Sequence, residues 1–267
     1  MAAIAREGSG ALMSFNAPPN VQLMLNQQFM QGCSLVQLAV VSEASGNLPA
    51  ANQCFQQGAG LIGNSIQTAR QWGMPVADPV FFSCAWAHFG AARVGWTMGL
   101  WRDAPMHLVQ ALGALNQAIS INPNVFYYHS AAGTALLAQG NLIEADREFN
   151  TALRLNPGDP WSQYMLAVLQ TAQGNTTLGH RHYSAARTAA PGLPPVQQML
   201  PRNVGAPEVG PGAGAQPRWL EILANVGTIA DVMNKIGVAA NTWSGLMGQF
   251  QQGAGMGSNF GGSGWGW

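Results

Sequence analysis

The stretch NPNVFYYHSAAGTALLAQGNLIEADREFNTALRLNP, residues 122–157, decides the reading of this chain, because its closing pattern recurs on both sides. Asn122-Pro123 and Asn156-Pro157 are followed by Ala190-Pro191, so the three prolines stand 34 residues apart (157 − 123 and 191 − 157). Five residues before each proline is an alanine: Ala118, Ala152 and Ala186. Three residues before each alanine is a large side chain (Leu115, Phe149, Tyr183), and four before that a small one (Ala111, Ala145, Gly179). A fixed period with small residues at helical offsets predicts a repeat of two helices.

Packing explains the pattern. Two antiparallel helices of about 13 residues bury their facing stripes when small residues let the backbones approach and one bulky residue fills the gap. Proline then stops the second helix, since its ring cannot continue the hydrogen-bond ladder. On these residues the chain resembles the tetratricopeptide repeat (TPR) family. The match at the small, aromatic and proline positions is clearest from Val125 to Pro157, with His129 where the family usually has a tryptophan. The resemblance implies an all-α fold, a right-handed solenoid of about four TPR-type helical hairpins.

Composition narrows the function. Of 267 residues, 11 are Lys or Arg and 11 Asp or Glu, so the net charge is zero, which argues against a nucleic-acid partner. Only 8% of residues are charged, against roughly 25% in an ordinary soluble domain. Between Gly8 and Ala69 the one charged side chain is Glu43, and Lys235 is the one lysine of the chain. A neutral, weakly charged surface favours association, so the composition suits a protein covered by copies of itself. The alternative is a soluble protein that builds its polar surface from Gln, Asn, Ser and Thr. Cys33, Cys54 and Cys84 lack CxxC spacing, fall within helical patterns and are expected to be buried small hydrophobes. No apolar run resembles a signal peptide or a membrane span. That favours the cytoplasm, with an exported surface fibre as the alternative location. Asn175-Thr176-Thr177 fits a glycosylation acceptor, a weak motif without a secretion signal.

Taken in order, residues 1–20 read as an extended arm closed by Pro18-Pro19, and residues 21–191 as the solenoid. Gly46-Asn47-Leu48 through Phe55 repeats the turn of Gly140-Asn141-Leu142 through Phe149, giving a divergent first unit whose second helix reaches about Trp72. Residues 79–101 form an aromatic-rich first helix. Counting back 34 from Gly133 to Gly99 assigns it to a second unit, completed by a helix from about Pro105 to Ile121. Residues 192–217 read as a Pro/Gly-rich linker or strap, since Pro191–Pro217 holds 7 prolines and 5 glycines. Residues 218–252 are a C-terminal helical segment. One face of it carries Trp219, Leu220, Leu223, Val226, Ala230 and Met233, and a second carries Ile222, Ile229, Val232 and Ile236. A helix apolar on two faces requires cover on both. Residues 253–267 are a Gly/aromatic tail with 7 glycines and Phe260, Trp265 and Trp267.

Motifs for chemistry are sparse. Gly58-Ala59-Gly60-Leu61-Ile62-Gly63 spells GxGxxG without a preceding strand, and His180-Arg181-His182 lacks a supporting cysteine or carboxylate, so neither predicts a dinucleotide or metal site. The sequence predicts no catalytic, cofactor-binding or metal-binding residues and no enzyme activity. TPR resemblance implies protein binding in a concave groove lined by first helices. Its positions map to Cys33, Val36 and Val40, then Arg93, Trp96 and Leu100, then Tyr127, Ser130 and Thr134, then Trp161, Tyr164 and Val168. The aromatic and apolar character suits an apolar helix or a Gly-aromatic strand. The expected self-assembly segment comprises Trp219, Leu223, Val226, Met233, Phe260, Trp265 and Trp267. Two functions follow. The first is a structural protein whose copies assemble into a filament or tube through arm, C-terminal segment and solenoid contacts. The alternative is an adaptor whose groove recruits a different protein.

Overall fold

A computed structural model describes residues 17–200 apart from 101 and 199. The expected arm up to residue 16, and the C-terminal helical segment and tail, lie outside the described residues. Eight helices occur among them: α1 (Pro19–Ala44), α2 (Leu48–Gln71), α3 (Asp78–Thr97), α4 (Ala104–Ile121), α5 (Phe126–Ala138), α6 (Leu142–Leu155), α7 (Pro160–Ala172) and α8 (Thr176–Ala189), followed by a 3-10 turn, Val196–Gln198. No described helix is long and apolar enough to cross a membrane.

Sequence punctuation sets these elements. Proline occupies the first or second helical position of α1, α2, α3, α4 and α7, where its missing N–H costs no hydrogen bond. Gly46, Gly73, Gly99, Gly140 and Gly174 follow helix ends with φ of 80°, 66°, 82°, 81° and 85°, a left-handed conformation that glycine adopts without steric cost. At each, the next N–H reaches back to a last-turn carbonyl. Asn141 N donates to Leu136 O at 2.9 Å and Asn175 N to Gln170 O at 2.8 Å, the 6→1 bond of a Schellman cap. The second helices α4, α6 and α8 end on Asn122, Asn156 and Ala190 in extended conformation (φ −135°, −139°, −137°), the region favoured before proline.

The helices pair as hairpins α1–α2, α3–α4, α5–α6 and α7–α8, and consecutive hairpins stack through α2–α3, α4–α5 and α6–α7. This is an all-α, TPR-like solenoid of four units. Its apolar core falls into two clusters, one running from α1 to the first half of α5 with Phe29, Phe55 and Tyr128 fully buried, the other from α3 to the end of the stack with Phe149 and Tyr164 fully buried, and Leu112 packs against both. The small residues act as predicted. A Cβ on Gly133 would stand 2.7 Å from the Phe149 ring, so glycine there is what admits the bulky residue of the facing helix. In the first unit α1 and α2 meet where a Cβ on Gly58 would lie 2.9 Å from Gly32 O. The GxGxxG triplet is therefore the middle of a helix, with Gly58 at a backbone crossing.

The period is not uniform, and this corrects one step of the sequence reading. The turn glycines within hairpins, Gly46, Gly99, Gly140 and Gly174, are separated by 53, 41 and 34 residues (99 − 46, 140 − 99, 174 − 140). Gly99 is thus the turn glycine of the second unit, equivalent to Gly140, and not a helical packing glycine equivalent to Gly133. Polar pairs 19 residues apart across three hairpins confirm the offset: His88 with His107, His129 with Glu148, and Gln163 with His182. The miscount has a physical origin in α4, which carries its small–bulky–small pattern twice. Ala104, Leu108 and Ala111 repeat seven residues on as Ala111, Leu115 and Ala118, all buried. The first helix of the second unit ends at Thr97 rather than 101.

Candidate protein-interaction groove

Three first-helix positions recur in register with the turn glycines. The first is Cys33, Trp86, Tyr127 and Trp161; the second Val36, Phe89, Ser130 and Tyr164; the third Val40, Arg93, Thr134 and Val168. The 41-residue interval therefore replaces the expected second-unit set. Arg93 stays on the lining at a later position, while Trp86 and Phe89 enter in place of Trp96 and Leu100. Trp96 is buried, and Leu100 sits in the α3–α4 turn, 39% exposed. The spacing of turn glycines, available in the sequence, was the signal that would have found Trp86 and Phe89.

At the first position Trp86, Tyr127 and Trp161 are all half-buried, giving the second, third and fourth units one rung each of an aromatic ladder, while the first unit has the buried Cys33 there. Neighbouring rings hold two of the rungs in place. Trp86 stacks on Phe89 with centroids 6.4 Å apart and planes 14° apart, and Tyr127 meets Phe82 edge-on at 5.2 Å. Trp161 Nε1 donates to Thr134 Oγ1 at 2.9 Å, tying the first position of the fourth unit to the third position of the unit before. Burial raises the Tyr127 phenol above its usual range, and it stays neutral at physiological pH.

The second position links units instead of facing outward. Ser130 Oγ donates to Asp159 Oδ2 at 2.8 Å and lies 2.6 Å from Ser162 Oγ, while the same carboxylate caps α7 by accepting from Ser162 N at 3.1 Å. One unit later Tyr164 OH donates to Pro194 O at 3.0 Å. Leu193 and Val196 are buried there, so the residues following α8 cover the last unit where a next first helix would begin.

The expected lining residues therefore divide. Tyr127 and Trp161 are partly open; Thr134, Tyr164 and Val168 are buried, as are Cys33 and Val36, while Val40 is exposed. For the buried ones the correction is that they pack: Thr134 Oγ1 accepts from Trp161 of the next first helix, and Tyr164 OH donates to Pro194 O beyond α8. Arg93 is bound bidentately by Glu43 of α1, joining the first and second units across the groove. Trp219, Leu223, Val226, Met233, Phe260, Trp265 and Trp267 lie outside the described residues.

His129, His88 and His182 each pair within their own hairpin. His129 stands at the family's tryptophan position, its Nδ1 at 2.7 Å from Glu148 Oε2 and its Nε2 at 2.9 Å from Pro123 O, and the carboxylate raises its pKa. At the equivalent place His88 lies beside His107, Nδ1 to Nδ1 at 3.2 Å, and burial with its neighbour pushes it down to about 4. His182 is engaged by Gln163 Oε1 at 2.8 Å. Among the described residues no three His, Cys, Asp or Glu side chains gather in a way that could hold a metal ion. Cys33 and Cys84 are buried, their thiols raised to about 12 and about 11 by desolvation; Cys54 is half-buried.

No family model matches the chain, and no curated protein matches it. Among solved structures, one titled MamA AMB-1 aligns over 65% of this chain and 99% of its own, at 16% identity and a TM-score of 0.32.

Proposed function

We propose that this chain is a non-enzymatic, TPR-type interaction scaffold whose copies assemble into a filament or tube through arm, C-terminal segment and solenoid contacts. The observation that carries this reading is the outer side of α1, the first helix of the stack. Asn20, Met24, Gln27, Gln31, Ser34, Leu38 and Val41 are all exposed and follow one another at alternating intervals of four and three. That is the spacing of a helix–helix seam. It runs the length of a 26-residue helix, about 39 Å at 1.5 Å per residue. No charge interrupts it, and Leu38 and Val41 are 51% and 64% exposed at its end, with Leu23 at 60% beside its start. A long, uncharged, partly apolar seam on the terminal unit is a surface another molecule can cover at little desolvation cost. In a chain of zero net charge the abundant candidate is a second copy. A head-to-tail contact that does not close generates a helical filament.

The test is negative-stain electron microscopy of the full-length protein beside Leu38→Glu/Val41→Glu. Both side chains are exposed, so the substitutions leave the fold intact. Filaments or tubes from the parent and dispersed particles from the variant are expected. Dispersed particles from the parent at high concentration overturn the polymer reading, and the aromatic ladder then stands as a groove for a different protein.

A further inference from the structure

Seven consecutive residues of α5, Ala132–Ala138, and seven of α7, Tyr164–Gln170, are buried. At roughly 100° per residue, seven residues point in every direction around a helix, so neither helix has an open face along that run. The second helices behave differently: α6 buries only Ala145, Phe149 and Ala152, and α8 only Gly179 and Ala186. The described elements that pack on α7 are its hairpin partner α8, the preceding α6 and α5, and the 3-10 turn. In a stack of hairpins these neighbours take the back and the flanks of a first helix and leave its concave face to solvent. Yet Val168 and Leu137 have no exposure at all.

The chain supplies a cover of the right chemistry. It passes beyond Leu200, half-buried at the α7–α8 end, with 67 residues to follow (267 − 200). After 17 of them begins the segment 218–236, apolar on two faces as a groove-bound helix must be, since groove walls contact more than one side of it. Seventeen residues counted as a random coil reach roughly 21–25 Å, enough to return from the end of the described stack to its concave side. Nineteen helical residues extend about 28 Å, enough to cross three first helices packed about 8–10 Å apart.

We propose that residues 218–236 lie as a helix in the concave groove against α5 and α7, with Trp219, Leu223 and Val226 toward the groove floor. The proposal rests on reading this groove as the chain's interaction surface, and it names the occupant. The chain's own segment holds the groove, so a foreign partner has to displace it, and copies that exchange the segment become linked.

Photo-crosslinking of the full chain carrying Trp219→p-benzoylphenylalanine tests this, because the substitution leaves the solenoid untouched. Cross-linked peptides from α3, α5 or α7 are expected. Cross-links that map only to α4, α6 or α8, or none from this variant and from Met233→p-benzoylphenylalanine, overturn the proposal. As a second readout, Leu223→Asp/Val226→Asp in the full chain should speed amide exchange in Ala132–Ala138 and Tyr164–Gln170 at least tenfold while leaving α2 unchanged. Unaltered exchange there also overturns it. A monomer-sized cross-linked band from a protein that forms no filaments upholds the groove occupant and refutes the polymer. Filaments whose cross-links avoid the first helices do the reverse.

Discussion

Gly58 and Gly60 lie two residues apart in α2, and the structure gives them opposite responses to alanine. A Cβ on Gly58 would sit 2.9 Å from Gly32 O and 2.9 Å from Val36 Cγ2. The first of these is backbone and cannot rotate away. A carbon–oxygen contact normally needs about 3.3–3.6 Å, so α1 and α2 must part by about half an ångström where Val36, Phe55 and Ile62 are buried between them. Overpacking of this kind costs about 1–3 kcal/mol. A Cβ on Gly60 meets nothing within 4 Å. Both variants gain the same helix propensity, about 0.8–1.0 kcal/mol for alanine over glycine, so that term cancels in the comparison. Gly58→Ala is therefore expected to be less stable than Gly60→Ala by about 1–3 kcal/mol, and Gly60→Ala more stable than the parent by nearly 1. At this chain length each kcal/mol moves Tm by about 2–4 °C, so thermal unfolding followed by circular dichroism should separate the two by about 2–12 °C. Equal melting temperatures, or a more stable Gly58→Ala, would refute the close approach of the two helices and with it the packing of the first unit.

Ala152→Leu, at a fully buried alanine of α6, should cost about 1–3 kcal/mol in urea or thermal unfolding; no change would mean that this position does not face its hairpin partner. Stability should fall as pH drops from about 6.5 toward 4, because the unfolded chain then takes up a proton that His88 refuses in the fold. His88→Gln should flatten that slope. His129 works in the opposite sense: its raised pKa makes its contribution complete below about pH 6.5 and lost as pH rises through the folded value. Glu148→Gln should therefore cost most stability on the acid side, and urea midpoints across the range check both signs. Under native conditions a small maleimide should label Cys54 well before Cys33 and Cys84, and all three in denaturant. A double-mutant cycle on Glu43→Gln and Arg93→Met should give a coupling of about 1–2 kcal/mol, between exposed and fully buried pairs, since the two side chains are 21% and 15% exposed.

The hairpins were legible in the sequence because each feature that forms them is local. Asn-Pro stops, turn glycines and the Ala145–Phe149–Ala152 pattern each act within one helix or one turn, and the third and fourth units follow them in register. The second unit was misplaced by seven residues because α4 satisfies the same small–bulky–small rule at two registers, and only the turn to α3 distinguishes them. That shift hid Trp86, one rung of the aromatic ladder, and put Leu100 in its set. The burial of Thr134 and Tyr164 was not legible for a different reason: Thr134 meets Trp161 of the next first helix and Tyr164 meets Pro194 beyond α8, and both contacts lie outside the repeat unit.

The seven-residue insertion itself has a physical logic that bears on assembly. Of the seven extra residues between Gly99 and Pro123, four lengthen α4, with 18 residues against 14 in α6, and three lie in the turn before it. Within α4 the buried set repeats after seven residues, about 700° and within 20° of two full turns, so Ala111, Leu115 and Ala118 fall on the face of Ala104, Leu108 and Ala111. Units can thus differ in length without losing the stack. The helices shorten along the chain from 26 and 24 residues in the first hairpin, through 20 and 18, to 13 and 14 in the last two. The two ends of the described stack are consequently unlike. One presents a helix of about 39 Å bearing an uncharged exposed seam; the other a hairpin half as long, partly covered by Leu193 and Val196. Contact between the two unlike ends is heterologous, and continued addition follows unless its rotation closes a ring, whereas α1 packed on α1 of a second copy is isologous and stops at a dimer.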